Sequence, residues 1–146
     1  MITINIANQT LTFKDKSYTI SSAANGVGEI EGSFCTPLGE FKVCEKIGQD
    51  LALNSVLKGR IFTGEIYNTQ LAQKHPDRDW ILTRILWLDG VESHNKNTKN
   101  RYIYIHGSPD GVPMGVPGSK GCIRMKNSDI IKLFIQVEDG ERVVVQ

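Results

Sequence analysis

Residues 101–125, RYIYIHGSPDGVPMGVPGSKGCIRM, decide both the fold and the chemistry of this chain. The opening RYIYI alternates aromatic and β-branched side chains, which predicts a half-buried strand. The strand delivers His106, and Gly107 ends the alternation at once. The loop beyond it sets Gly107, Gly111, Gly115, Gly118 and Gly121 among Pro109, Pro113 and Pro117. Such a loop bends tightly and lets its backbone come close to another group. It closes on Cys122, 16 positions after the histidine. A thiol and an imidazole on either side of such a turn can meet in space, and that pair is enough for nucleophilic acyl transfer. Taken alone, a cysteine and a histidine are more often structural than catalytic. The surrounding residues decide between the two readings.

Working outward, residues 80–88, WILTRILWL, are apolar, rich in β-branched and aromatic types and closed by Asp89-Gly90, which predicts a central strand. Arg84 is a charge inside that run. It must face a polar cavity or find a partner, and the cavity of the site is the expectation. Residues 2–23 read as two or three short alternating strands, and residues 23–32 as a small-residue loop beside the site or a tight turn. Thr36-Pro37-Leu38-Gly39 reads as a turn feeding the strand that begins EFKV. Residues 48–79 are the least regular part, with one or two helical turns expected over 67–74; a substrate-covering flap and a surface excursion both fit. Asn127-Ser128-Asp129 offers an N-cap, and Ile130, Ile131, Leu133, Phe134 and Val137 then recur at helical spacing, with Gly140 as the stop. ERVVVQ closes the chain as a strand. Strands dominate without a βαβ rhythm, so the expected fold is mainly β, a sandwich or partly closed barrel with one capping helix, in a single domain over 1–146.

Composition excludes several classes. The 146 residues are 40% hydrophobic and 23% charged, with a formal charge of +1. That balance suits a globular protein and gives no electrostatic case for nucleic acid or an anionic membrane. No apolar run is long enough to span a bilayer as a helix. Cys35, Cys44 and Cys122 are too few, and odd in number, for a disulfide framework; with no CxxC pair, no metal site is expected. The first residues, MITINIANQTLTF, lack the basic and apolar regions of a secretion signal. A reducing compartment also suits a nucleophilic thiol, so the expected location is the cytoplasm. His75 and His94 lie among polar residues and read as exposed. Sequence does not give the oligomeric state.

His106-Gly107 followed by Ser119-Lys120-Gly121-Cys122-Ile123-Arg124-Met125 closely resembles the signature of the YkuD-type L,D-transpeptidases, whose usual form is His-Gly-Thr, a Gly-rich loop and Ser-His-Gly-Cys-Ile-Arg-Met. Thr36-Pro37-Leu38-Gly39-Glu40-Phe41 resembles the family's second motif, Thr-Pro-x-Gly-x-Phe, which lies beside the catalytic loop. ILTRILWLDG followed by RYIYIHG also recurs among members, so the resemblance covers nearly the whole chain. It implies acyl transfer on peptidoglycan stem peptides without a cofactor, with a tetrapeptide or muropeptide as substrate. Cys122 would attack a carbonyl linked to a terminal D-alanine, and His106 would act as base and then as acid. Backbone N–H groups near Gly121 and Cys122 would hold the oxyanion. Ser119 and Gly107 match positions that orient the histidine, although Ser119 fits turn chemistry equally well. Arg124 is left between a substrate carboxylate and a structural ion pair. Lys120 stands where a second histidine is common and Ser108 where a threonine is usual. An inward-pointing Lys120 would favour the thiolate. Water as acceptor would make a carboxypeptidase acting in murein recycling, and an amine would make a transpeptidase. A cysteine peptidase or thioesterase acting on other substrates would use the same residue pair.

Overall fold

The computed structural model describes residues 1–146. Alternating burial in ITIN and TLTF makes β1 (Ile2–Asn5) and β2 (Thr10–Phe13), and β3 (Lys16–Thr19) completes an antiparallel meander. β4 (Gly39–Ile47) follows the Thr36-Pro37 turn and bulges between Val43 and Glu45. Residues expected to be irregular contain instead a hairpin of β5 (Ser55–Lys58) and β6 (Ile61–Ile66), and the short α1 (Thr69–Lys74) falls within the helical turns expected over 67–74. The hairpin escapes a periodicity reading because nearly every β6 side chain is exposed, so no buried face imposes alternation.

β7 (Ile81–Gly90) is the expected central strand. One edge pairs with β4 along its C-terminal half and with β5 along its N-terminal half. Its other edge carries β8 (Tyr104–Ser108), which pairs in parallel with β9 (Ile123–Lys126). Strand β8 starts later than the alternation of RYIYI suggests. Lys99–Arg101 form a 3₁₀ turn, and Tyr102 has φ of 57°, a left-handed value that no strand tolerates. α2 (Asn127–Gln136) leads to β10 (Arg142–Val145), which lies between β1 and β4. The ten strands form one curled sheet, a half-barrel with a helix packed on it, as expected of a partly closed barrel.

The core lies between that sheet and α2, whose Ile130, Leu133 and Phe134 meet Ile105, Ile123, Met125 and Leu86. The helix differs from expectation at both ends. Lys126 occupies the N-cap position without a side-chain bond, and the helix stops at Gln136 rather than running to Gly140. Asn127 has a different task. Its buried amide accepts from Thr83 Oγ1 at 2.7 Å and donates to Asn54 Oδ1 at 2.8 Å, tying α2 to β7 and to the segment before β5. Ile135, on the far face, is exposed. No helix is long and apolar enough to cross a membrane.

Candidate active site

Adjacent parallel strands set the two reactive side chains. His106 sits mid-β8 opposite Arg124 of β9, and Cys122 immediately precedes β9. Both border one cavity of about 570 Å³. His106 is fully buried, and its Nδ1 lies 2.6 Å from the carbonyl oxygen of Gly107. A carbonyl only accepts, so Nδ1 carries the proton and Nε2 keeps the lone pair, the tautomer a general base requires. The thiol of Cys122 accepts from the Tyr104 N–H at 3.3 Å and donates to the Tyr102 carbonyl at 3.3 Å. At rest its proton therefore points to a carbonyl rather than to the imidazole.

Desolvation sets the charge state of both groups. It pushes the Cys122 thiol up to about 12, with the Asp79 carboxylate adding to the rise and the Tyr104 N–H, Arg124 and Arg101 opposing it. Burial likewise pulls His106 below the ordinary imidazole value, against its bond to Gly107 and the field of Asp79. Both shifts favour a neutral thiol beside a neutral imidazole, so proton transfer belongs to the attack itself.

The nucleophile's backbone is pinned from several sides. Thr36 Oγ1 accepts from the Ala23 N–H at 3.0 Å and donates to the Gly121 carbonyl at 2.9 Å, which joins the Thr-Pro motif to the loop. Ser119 Oγ accepts from the Gly121 N–H at 3.2 Å and donates to the Cys122 carbonyl at 2.5 Å. Ser119 thus builds the turn rather than touching the histidine. Gly121 has φ of 129°, and a Cβ there would stand 3.2 Å from the Cys35 carbonyl oxygen, so only glycine fits without strain. With the Gly121 N–H engaged, the Cys122 N–H is the donor near the sulfur that has no acceptor. Residues 21–24 run alongside, with Ser21 and Arg124 exchanging two backbone bonds of 2.9 Å. Of the loop expected at 23–32, Ala23 and Ala24 reach the site, where the Ala24 N–H donates to the Ser119 carbonyl at 2.9 Å.

Other expected positions fall differently. Arg124 borders the cavity, but its guanidinium holds Asp79 at 3.2 Å and the Gly118 carbonyl at 3.0 Å, so the ion-pair role is the one realised. Lys120 is exposed at the rim, and the cations acting on the thiol are Arg124 and Arg101. Gly107 orients the histidine through its carbonyl, as expected, but neither it nor Ser108 lines the cavity. A Cβ on Gly107 would meet Asn127 Oδ1 and the Leu82 carbonyl at 2.5 Å, and buried Ser108 donates to the Met125 carbonyl at 3.2 Å. Arg84 is not at this site either. Neighbouring strand residues face opposite ways, and Ile85 faces the cavity side, packing with Tyr104 next to Cys122. Arg84 therefore points to the α2 side, where it donates to the carbonyls of Leu51 and Thr83 and stands 5.5 Å from the Phe134 ring centre. His94 is exposed as expected, whereas His75 is half-buried at the end of α1.

The cavity wall includes residues that sequence reasoning missed: Phe34, Arg60, Asp79, Ile81, Tyr102 and Tyr104. For Arg60 there was a signal, because VLKGRIF places a glycine turn between two apolar pairs, as a hairpin does. For Asp79 and Phe34 there was none, since each arrives from a loop.

A thiol and a correctly protonated imidazole beside an unengaged amide define a site for cysteine acyl transfer. The L,D-transpeptidase catalytic domain (YkuD) model matches residues 1–145, and the chain belongs to that family. Over 41 residues it is 46% identical to the putative L,D-transpeptidase YkuD of Bacillus subtilis, covering 28% of this chain and 25% of that protein. Its fold is similar to the L,D-transpeptidase from Xylanimonas cellulosilytica, with a TM-score of 0.63 and 19% identity over 99% of this chain and 59% of that one. The L,D-transpeptidase from Mycobacterium smegmatis gives 0.62 and 17% over 99% and 57%. That of Enterococcus faecium gives 0.59 and 22% over 99% and 48%. The chain thus spans less than two thirds of the length of these relatives.

Proposed function

We propose that this chain is a cysteine L,D-carboxypeptidase of peptidoglycan stem peptides, removing the terminal D-alanine of tetrapeptides or muropeptides in murein recycling. The observation that carries the chemistry is the placement of Cys122 and the Nδ1-protonated His106 on one cavity, with the Cys122 N–H without an acceptor. In the reaction, Nε2 of His106 takes the thiol proton as Sγ attacks the carbonyl of the diamino acid's L-centre. The Cys122 N–H supports the oxyanion. Collapse breaks the C–N bond, and the imidazolium hands its proton to the departing amine of D-alanine. Water, deprotonated by His106, then cleaves the thioester, releasing the tripeptide carboxylate and restoring the thiol.

Hydrolysis over cross-linking is the choice that suits a cytoplasmic setting. Cys35, Cys44 and Cys122 are all free thiols, which supports a reducing compartment. Soluble muropeptides, rather than assembled wall, are the stem peptides within reach there. One observation favours transpeptidation instead. A second cleft of about 160 Å³ adjoins the first across Asp79, Lys120 and Arg124, and an amine acceptor could enter through it. Mass spectrometry of a disaccharide-tetrapeptide incubated with the pure protein separates the readings. Loss of D-alanine with little dimer supports the carboxypeptidase. A dominant cross-linked dimer restores the transpeptidase, and an unchanged substrate overturns both.

A further inference from the structure

Among the arginines at the active-site end, one keeps most of its donors free. Arg124 is paired with Asp79, and Arg101 is held by the carbonyls of Gly28 and Cys35. Arg60 makes a single hydrogen bond, from Nη1 to the Tyr104 hydroxyl at 3.1 Å, and no ion pair. Glu45 acts on it through space without contact. The guanidinium stands 4.3 Å from the Trp87 ring centre and 5.2 Å from that of Tyr102. Aromatic neighbours thus hold its plane, while most of its five donors stay unengaged. A planar fork held in this way is the side chain best matched to a carboxylate.

Its position on the backbone is also unusual. Lys58 and Ile61 pair across the hairpin, so Gly59 and Arg60 form its two-residue tip. Both residues have positive φ, 55° and 65°. Turns of that form favour glycine or asparagine at both places, and a long side chain there is strained. The chain nevertheless carries an arginine there and sets it on the wall of the cavity that holds Cys122 and His106. Arg60, Lys120 and Arg124 face that cavity against one carboxylate, Asp79, which Arg124 already holds. The cavity therefore favours an anionic ligand.

We propose that Arg60 is a specificity-determining residue that receives a free carboxylate of the stem peptide. The proposal rests on the acyl-transfer reading of the same site. Two carboxylates share the required chemistry: that of the C-terminal residue, which leaves, and that on the distal centre of the diamino acid, which stays with the acyl group. Selection of this kind turns away peptides in which that carboxyl is masked by amidation or by chain extension.

The test uses the full chain, its Arg60→Gln and Arg60→Lys variants, and three peptides: the tetrapeptide, its C-terminal amide, and the tetrapeptide amidated at the distal centre. Binding is read by calorimetry on Cys122→Ala, which keeps the peptides intact, and KM and kcat are read on the active enzyme. Losing a charge-assisted fork weakens binding by about 10- to 100-fold. Arg60→Gln is therefore expected to weaken the tetrapeptide by that much, raising KM more than it lowers kcat, with Arg60→Lys in between. Amidating one of the two carboxyls should reproduce the loss in wild type and add nothing in Arg60→Gln, and the amide that does so identifies the carboxylate. Alkylation of Cys122 by neutral iodoacetamide should keep its rate, showing that the site is still folded. An Arg60 that only pins the hairpin would weaken all three peptides equally, which overturns the proposal. So would amides that bind as well as the free acid. A wild type that binds peptides in the expected pattern but releases no D-alanine would sink the carboxypeptidase reading and leave Arg60 in its role.

Discussion

Two apolar clusters share the sheet, and they do different work. The larger joins β1, β2, β4 and β10 to α2 and holds no reactive group. The smaller is Leu57, Ile85 and Tyr104, with Ile81, Trp87 and Cys122 packed against it. The first cluster is held by burial, and its side chains alternate with the strands that carry them. Around the second, polar contacts fix the geometry: Thr36 on Gly121, Ser119 on Cys122, and the Tyr104 N–H on the sulfur. Damage to the first should lower stability and spare the chemistry of molecules that remain folded. Damage to the second should fall chiefly on the chemistry and less on stability.

The sharpest break between them is the nucleophile. Cys122→Ala removes one sulfur at the cavity wall and should lower turnover of tetrapeptide by at least about 10⁴-fold, with the melting temperature little changed. Cys35→Ala and Cys44→Ala should retain activity, since neither thiol borders the cavity. A normal rate for Cys122→Ala would end the mechanism.

His106→Ala comes next, with an expected loss of about 10²- to 10⁴-fold, the range for a general base. The pH profile sharpens the point. Burial holds His106 below its ordinary 6.5, so its neutral form persists into mild acid. kcat/KM should therefore stay level through 6.5 and fall only at lower pH, as the imidazole gains its proton. Stability has the same sign. The unfolded chain takes up that proton at the ordinary value while the folded chain resists it, so acidification below 6.5 should destabilise the wild type. An acid limb in kcat/KM centred above 6.5 would contradict the buried neutral imidazole.

Phe41→Ala tests the other cluster. This side chain is fully buried on β4, between β10 and β7. Its truncation should cost about 3–5 kcal/mol in denaturant unfolding. The iodoacetamide rate at Cys122 in the protein that remains folded should match wild type. A large drop in that rate would show that the two clusters are coupled rather than separate.

The same division explains what could be read from the sequence. Ile2, Ile4, Leu11 and Phe13 alternate because one face of β1 and β2 is buried, and His106 and Cys122 bracket a glycine-rich loop that cannot be mistaken for a helix or strand. Arg84 misled because an isolated charge in an apolar strand announces a polar neighbour without saying which face it lies on. Two backbone carbonyls and an aromatic ring on the α2 side supplied that neighbour. The cavity wall was hidden for another reason. Phe34, Arg60 and Asp79 come from separate loops, and only the tertiary fold brings them together.

The smallest expected effect falls on the joint between motif and nucleophile. Thr36→Val keeps the shape of the side chain and deletes its hydroxyl, which accepts from Ala23 N–H and donates to the Gly121 carbonyl. Both partners are then left unsatisfied in a buried place, at a cost of about 1–3 kcal/mol. Part of that cost should appear as lost stability, because the Ala23 segment and the catalytic loop are no longer joined there. The rest should appear in kcat. The Gly121 carbonyl belongs to the peptide that carries the Cys122 N–H, so freeing it lets the oxyanion donor drift from its aim. A loss of about tenfold in kcat with KM nearly unchanged is expected, because a donor that meets the substrate only in the tetrahedral state leaves ground-state binding alone. Thr36→Ser, which retains the hydroxyl, should recover most of the rate. If Thr36→Val raised KM and left kcat intact, the threonine would be shaping the substrate cavity instead, and the Cys122 N–H would lose its assignment as the oxyanion donor.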